Sequence, residues 1–341
     1  MDKNTTITID LAKEVFQIAV FNQAGKSKLN KSVSAKKLKE IVDQYPHAKI
    51  YMEACGSAHY WARLFQEQGH FVGLIPAQVV ARYRQGNKND KNDAIAIFEA
   101  SKSEQVKLVA IRTLEQQDIA LMHTLREGYK KARNQIANRI RGFAFEYGIC
   151  FPVGIAKLKK QLPEVLEDAE NSLTPLARKV LNSLQSQLTE INELYDESSK
   201  DIQVQSQNNA HCKRLQKVPG IGWLIASMLY AKLGQGDGFE KGRDVSAMLG
   251  LVPSHSGTGG KIKIGSITKK GDTYIRAQLV NGARAVVSKI RDKQDELSCW
   301  IRGLLGRKSF NTTVVAVANK LARVAFAILK SGEPYKPTFA K

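Results

Sequence analysis

Thr6-Ile7-Thr8-Ile9-Asp10 alternates polar and apolar residues and ends on a carboxylate. A period of two is the pattern of a strand with one face turned to a core. A second run, Ala48-Lys49-Ile50-Tyr51-Met52-Glu53, also ends on an acid. Between them, Val15-Phe16-Gln17-Ile18-Ala19-Val20-Phe21 reads as a strand and Asn22-Gln23-Ala24-Gly25-Lys26 as a hairpin-type turn, with a third strand at about 28–33. Leu38, Ile41 and Val42 fall at helical spacing behind Ser34, a candidate N-cap, and predict a helix over 35–45. A helix over about 57–68 and a short strand, Phe71-Val72-Gly73-Leu74-Ile75, follow the second acid-ended run. With a helix beginning near Asp90, the order β-β-β-α-β-α-β-α predicts a mixed α/β domain with helices packed on a sheet.

Beyond it, residues 115–147 are helical in pattern and rich in Arg, Lys, Gln and Asn. Residues 173–206 space Leu176, Val180, Leu184, Leu188, Ile191 and Leu194 by three or four. That narrow stripe suits a coiled coil or long helical hairpin, and equally a helix lying on its own domain's core. Near 210 a second globular unit begins, with an apolar helix running to Leu233, a Gly-, Ser- and Lys-rich stretch over 244–276 of weak helical pattern, and helices over 272–290 and 311–330. The Lys- and Pro-rich end is expected to fray. The expected division is 1–105, a helical spacer over 106–208, and 209–341.

The 341 residues are enough for two domains joined by such a spacer, and 43% apolar with 25% charged residues is an ordinary globular composition. With 52 Lys+Arg against 32 Asp+Glu, the net charge is +20. Such a surface favours a nucleic-acid partner, because neutralising phosphates releases counterions. A merely soluble basic surface is the plainer alternative. A membrane is not the expected partner: no long basic amphipathic helix is evident, and no uninterrupted apolar run reaches the ~18 residues of a span. Cys55, Cys150, Cys212 and Cys299 are too scattered for a zinc pair or disulfide framework, which predicts free thiols in a reducing cytoplasm. Met1-Asp2-Lys3-Asn4 leads directly into the first strand, so no signal peptide is expected.

Asp90 and Asp93 lie three apart in Asn87-Lys88-Asn89-Asp90-Lys91-Asn92-Asp93-Ala94, and that spacing puts both on one helix face. With Asp10 and Glu53 they form a candidate quartet of hard oxygen ligands. Divalent ions about 4 Å apart can activate a nucleophile and stabilise a leaving oxygen in phosphoryl transfer. Mg²⁺, or Mn²⁺, suits carboxylates, water and phosphate. Lys88 and Lys91 would then face a phosphate backbone. Taken singly, Asp90 and Asp93 could merely favour a helix N-terminus, and Glu53 could be a surface acid. The set of four, in this order, favours the site.

Ile7-Thr8-Ile9-Asp10-Leu11-Ala12-Lys13, Met52-Glu53-Ala54-Cys55-Gly56 and Asn89-Asp90-Lys91-Asn92-Asp93-Ala94 resemble the DEDD transposases of the insertion-sequence 110/1111 family, relatives of the Piv-type DNA invertases. The resemblance implies a RuvC/RNase H-like α/β fold over about 1–105 and Asp10, Glu53, Asp90 and Asp93 as a Mg²⁺-binding catalytic quartet. Val218-Pro219-Gly220-Ile221-Gly222 before an apolar helix looks like a helix-hairpin-helix turn, whose Gly220 and Gly222 would let backbone amides approach a phosphate. A plain loop-to-helix transition is the alternative.

Leu249-Gly250-Leu251-Val252-Pro253-Ser254-His255-Ser256-Gly257-Thr258-Gly259-Gly260-Lys261 and Ile267-Thr268-Lys269-Lys270-Gly271-Asp272-Thr273-Tyr274-Ile275-Arg276 are similar to the same family's Ser-Gly loop and following helix start. The family's nucleophile is implied to be a serine of this loop. A gap-free match sets Gly257 where that serine is expected; Ser256 keeps a Ser-Gly pair and is preferred, with Thr258 and Ser254 as alternatives and a purely phosphate-contacting loop as the other reading. Lys261, Lys263, Lys269, Lys270 and Arg276 read as phosphate contacts. The terminal helix around Val314–Arg323 resembles the family's end as well.

The resemblance further implies Mg-dependent strand exchange through a covalent phosphoserine, a structured noncoding bridge RNA joining element ends and target DNA, a dimer or tetramer, and a bacterial or archaeal cytoplasm. A junction-resolvase-like nuclease that uses water would leave no protein–DNA adduct. A non-catalytic basic DNA-binding protein would bind without metal and never cut.

Overall fold

The computed structural model describes residues 5–86, 89–258, 261–290 and 293–337. They divide into two compact units: Met1–Leu114 with Gly236–Glu240, and Glu115–Gln235 with Lys241–Lys341.

The first unit is built on a five-stranded mixed sheet. Its elements are β1 (Thr6–Asp10), β2 (Val15–Phe21), β3 (Ser27–Ser34), α1 (Ala35–Val42), β4 (Lys49–Glu53), α2 (Ala58–Glu67), β5 (Phe71–Ile75), α3 (Ala77–Tyr83) and α4 (Asp90–Ser101). The strand order is β3-β2-β1-β4-β5. The first three strands run antiparallel to one another, and β4 and β5 join β1 in parallel. Gly25, at φ +76°, closes the β2–β3 turn, where Asn22 N–H donates to the Lys26 carbonyl at 3.1 Å.

Alternation assigns the two faces. Ile7, Ile9, Ile50 and Met52 are fully buried and meet Leu38, Ile41, Val42, Trp61 and Phe65 of α1 and α2. On the opposite face, Ala19 and Phe21 meet Ala94 and Phe98 of α4, while Ile75 packs with Val80 of α3 and Ala96 and Ile97 of α4, flanked by Tyr51. The sheet is therefore covered on both sides, as a parallel ladder requires. Gly73 is needed beside Tyr51: a Cβ there would lie 2.7 Å from the tyrosine ring. Ser34 caps α1 by accepting from Lys37 N–H at 3.4 Å.

The second unit is mostly helical. It contains α5 (Leu114–Phe145), α6 (Ile155–Glu167), α7 (Pro175–Asn208), α8 (Ala210–Leu215), α9 (Trp223–Leu233), α10 (Gly242–Met248), β6 (Pro253–Thr258), β7 (Lys261–Ile267), α11 (Thr273–Ser288), α12 (Glu296–Leu305) and α13 (Phe310–Ser331). Long α7 does lie on its own unit's core: Ala177, Leu181, Leu184 and Leu188 bury with Ala137 and Ile140 of α5 and Leu158 and Leu162 of α6. The buried stripe is offset from the expected one at its start, since Leu176 is 71% exposed and Val180 40% exposed. Ala177 and Leu181 continue the row of Leu184 and Leu188 at helical spacing, so they take the inward places.

α13 is the one described helix long and apolar enough to cross a membrane by length and composition. Within this unit it packs against α10 and α11, and Val314, Val317, Leu321 and Ala325 are among its buried residues.

Candidate active site

Asp10 ends β1 and Glu53 ends β4. The parallel ladder pairs Thr8 with Tyr51 and Ile9 with Met52, so the next step sets Asp10 beside Glu53 at the carboxyl edge of the sheet. Both share the parity of Thr8 and Tyr51, and hence the face covered by α3 and α4.

The first turn of α4 supplies the other two acids. Asn89 caps it by accepting from Asn92 N–H at 2.8 Å, with Asp90 and Asp93 immediately inside. Several contacts hold this turn against the sheet. Thr8 Oγ1 donates to the Ala94 carbonyl at 2.8 Å in a buried hydrogen bond. Phe98 stacks on Phe21 with ring centroids 3.7 Å apart. Asn30 Nδ2 donates to the Lys91 carbonyl at 3.4 Å. Asn30 is itself oriented by Gln17, a buried residue paired across the ladder from Asp10: Gln17 Nε2 donates to Asn30 Oδ1 at 2.5 Å, and Ser32 Oγ donates to Gln17 Oε1 at 2.6 Å.

The other three carboxylates lie within electrostatic reach of Asp10. Burial pushes Asp10 up to about 6, and the negative charges of Asp93, Glu53 and Asp90 add to that rise, while Arg84 opposes it. Arg84 follows the last residue of α3, and its Nε donates to Asp93 Oδ1 in a short ion pair. Asp93 is only 6% exposed, so that guanidinium compensates a charge that would be costly to bury alone. No group of three or more His, Cys, Asp or Glu among the described residues is gathered closely enough to hold a metal ion as it stands. Lys91 is exposed on the first turn of α4. Lys88 lies outside the described residues.

In the second unit, β6 and β7 form an antiparallel hairpin that pairs Ser256 with Lys263 and Thr258 with Lys261. Ser256, Lys261 and Lys263 are exposed. Directly opposed residues share a face, so Ser256 has Lys263 as its cross-strand neighbour. Ser254 differs: its Oγ donates to the Ser266 carbonyl at 3.0 Å.

The hairpin base is fixed by interlocked turns. Gly250 (φ +68°) and Gly271 (φ +88°) have no room for a side chain: a Cβ would come within 2.1 Å of the Lys270 carbonyl oxygen and 1.8 Å of the Met248 carbonyl oxygen, respectively. Arg276 is committed to the same base, donating through Nη1 to the Leu249 carbonyl at 3.0 Å and through Nη2 to Thr273 Oγ1 at 3.1 Å. Lys269 and Lys270 stand exposed in the turn just before it.

Gly220 (φ +85°) lies in the turn between α8 and α9, and Gly222 is the N-cap of α9. Gly220 also serves packing, since a Cβ there would meet Val286 at 2.7 Å and the Gly282 carbonyl oxygen at 2.9 Å.

Comparison with known proteins bears on both halves of the chain. Residues 7–148 match a family described as "Transposase", of the DEDD type, and residues 212–297 match the "Transposase IS116/IS110/IS902 family". The chain is 34% identical to the transposase for insertion sequence element IS1111A of Coxiella burnetii, over 96% of this chain and 90% of that protein. It is 37% identical to a probable family 20 transposase of Pseudomonas aeruginosa over 97% and 98% of the two chains. It is 35% identical to the transposase for insertion sequence element IS1328 of Yersinia enterocolitica, again over 97% and 98%. The chain belongs to the IS116/IS110/IS902 transposase family.

Several residues that organise the acids of this transposase carry no signal, or only a faint one, in its sequence. Arg84 belongs to no motif, and its link to Asp93 depends on the packing of α3 against α4. Thr8 and Gln17 are polar residues on the same strand faces as Asp10, a parity visible in the alternation itself.

Proposed function

We propose that this insertion-sequence transposase cuts and rejoins DNA strands at Asp10, Glu53, Asp90 and Asp93, with a divalent metal, Mg²⁺ in the cell, held by those four. The observation that carries the reading is geometric: β1 and β4 end side by side on Asp10 and Glu53, and α4, which begins with Asp90 and Asp93, is tied to β1 by the Thr8 bond. Burial and the three other acids accordingly oppose ionisation of Asp10. The donor set is all carboxylate, which fits a hard cation. When bound, the metal supplies charge neutralisation at the scissile phosphate and activation of the attacking oxygen. The β3-β2-β1-β4-β5 order, with its first three strands antiparallel, supports an RNase H/RuvC-like assignment for the N-terminal segment.

Ser256 is the proposed nucleophile. Its Oγ forms a bond to phosphorus as the bond from phosphorus to one deoxyribose oxygen breaks, and the proton given up by the serine returns to that leaving oxygen. Attack by another strand's hydroxyl reverses the exchange without water. Exposure of Ser256 beside Lys263 favours it over Ser254, whose hydroxyl is engaged inside the hairpin. Lys91, Lys261, Lys263, Lys269 and Lys270 are suited to phosphate contacts, as are the amides of the Gly220–Gly222 turn, read as a helix-hairpin-helix element. Arg276 contributes by holding the hairpin base. The net charge of +20 supports a nucleic-acid partner; the structured bridge RNA beside DNA and the homo-oligomer are proposed from the family resemblance. Segments 1–105, 106–208 and 209–341 are proposed as catalytic, spacer and serine-loop parts.

The test is a denaturing gel of labelled element-end DNA incubated with Mg²⁺, flanking-element RNA and protein. A protein–DNA adduct lost in Ser256→Ala and Asp10→Asn supports the reading. An adduct that persists in Ser256→Ala moves the nucleophile to Thr258 or Ser254. Cut DNA without any adduct would replace the phosphoserine step with hydrolysis.

A further inference from the structure

We propose that Arg84 is a built-in counter-ion of the acid cluster, one that leaves Asp93 when the cluster takes up a divalent cation. The inference rests on the proposed metal-binding role of the four acids and goes beyond it by making metal uptake an exchange of cations.

Two observations converge on Arg84. Its Nε is bonded to Asp93 Oδ1, and the side chains are 22% and 8% exposed, so the pair is largely withdrawn from water. And as the four acids stand, no three of them are gathered into a ligand set. One guanidinium thus occupies a carboxylate that a loaded cluster would need. A guanidinium has no lone pair to offer a metal, and its charge repels a cation approaching the same carboxylates. The pair and a fully loaded cluster therefore compete for Asp93.

The position of Arg84 suits this part. It follows α3 in an extended backbone conformation (φ −69°, ψ 124°) outside the helix, so its side chain is not fixed by a helical row. Asp93, by contrast, is fixed on α4 by the capped first turn and the Thr8 bond. The arginine is the partner placed to move. Once released, its planar fork has the chemistry to engage a phosphate oxygen at the same edge.

The experiment measures Mn²⁺ affinity of the full chain, without DNA, by isothermal titration or water-proton relaxation, for the natural chain and for Arg84→Gln, Arg84→Lys and Asp93→Asn. Thermal unfolding in chelator and in Mn²⁺ is recorded in parallel. The exchange predicts that Arg84→Gln binds Mn²⁺ about tenfold more tightly, because no ion pair has to break first. It also predicts a lower melting temperature in chelator for Arg84→Gln, largely recovered with Mn²⁺. Arg84→Lys, which keeps the charge, should stay near the natural affinity, and Asp93→Asn should bind more weakly. Weaker Mn²⁺ binding by Arg84→Gln would overturn the inference, since it would make Arg84 a support for the loaded site. Unchanged affinity would overturn it too. If Mn²⁺ binds the natural chain and Asp93→Asn equally, or neither, the metal-binding reading of the acids fails first. Should Arg84→Gln not fold in chelator, Arg84→Met, which keeps an apolar stem without the charge, replaces it and should show the same tighter Mn²⁺ binding; weaker or unchanged binding would overturn the inference.

Discussion

Thr8 Oγ1 and the Ala94 carbonyl, 86 residues apart in sequence, meet at 2.8 Å and join the middle of β1 to the first turn of α4. This bond sets the acid that ends the strand against the two acids that begin the helix. Thr8→Val keeps the shape and removes the donor. The expected cost is about 1 kcal/mol in urea unfolding, with cleavage reduced more than DNA binding. Equal loss of both would mean the bond supports the domain generally.

Asp10→Asn should stabilise the metal-free protein near neutral pH while abolishing cleavage. The carboxyl is raised from 3.8 to about 6, so the folded chain holds this proton to higher pH than the unfolded chain does. Folding stability attributable to Asp10 is therefore lost as pH rises through that window and is restored below it. Melting temperatures in chelator should favour Asp10→Asn at pH 7.5 and converge with the natural chain near pH 4.

His123 predicts pH dependence of the opposite sign in the helical unit. It is buried on α5, with Nε2 2.9 Å from Ser227 Oγ, and burial, aided by Arg126, lowers it from 6.5 to about 4. The unfolded chain takes up this proton first as pH falls below 6.5, so stability is lost between there and about 4. The loss should be on the order of 2–3 kcal/mol. His123→Gln should flatten that part of the urea-midpoint profile.

Gly282 and Gly220 bring α11 against the turn between α8 and α9 so closely that a Cβ on Gly282 would sit 2.1 Å from the Gly220 carbonyl oxygen. The obstacle is backbone and cannot rotate away. Gly282→Ala should cost at least about 2 kcal/mol by thermal unfolding, whereas alanine at exposed Gly303, with nothing within 4 Å of its Cβ, should not destabilise.

β1, β2, β4 and β5 are legible because each has one or two buried faces, and alternation records burial directly; β3, where only Val33 is buried, is marked instead by the turn before it. The β6–β7 hairpin is not legible: its residues from His255 to Gly257 and from Lys263 to Ser266 are exposed, so no inward face marks it. Short α8, and α6 with Pro163 inside it, lack the length or regularity that periodicity needs. At the acids, the strand-end positions of Asp10 and Glu53 could be read from the chain. Arg84 could not, because its pairing with Asp93 is set by how α3 and α4 pack.

The most direct test of the central claim is Mg²⁺-dependent cleavage of element-end DNA by four single variants, Asp10→Asn, Glu53→Gln, Asp90→Asn and Asp93→Asn, with DNA binding measured on the same preparations. All four should lose cleavage by at least about a hundredfold and keep binding within a few-fold. Cleavage that survives in Asp10→Asn, or that proceeds undiminished in chelator, would contradict that claim.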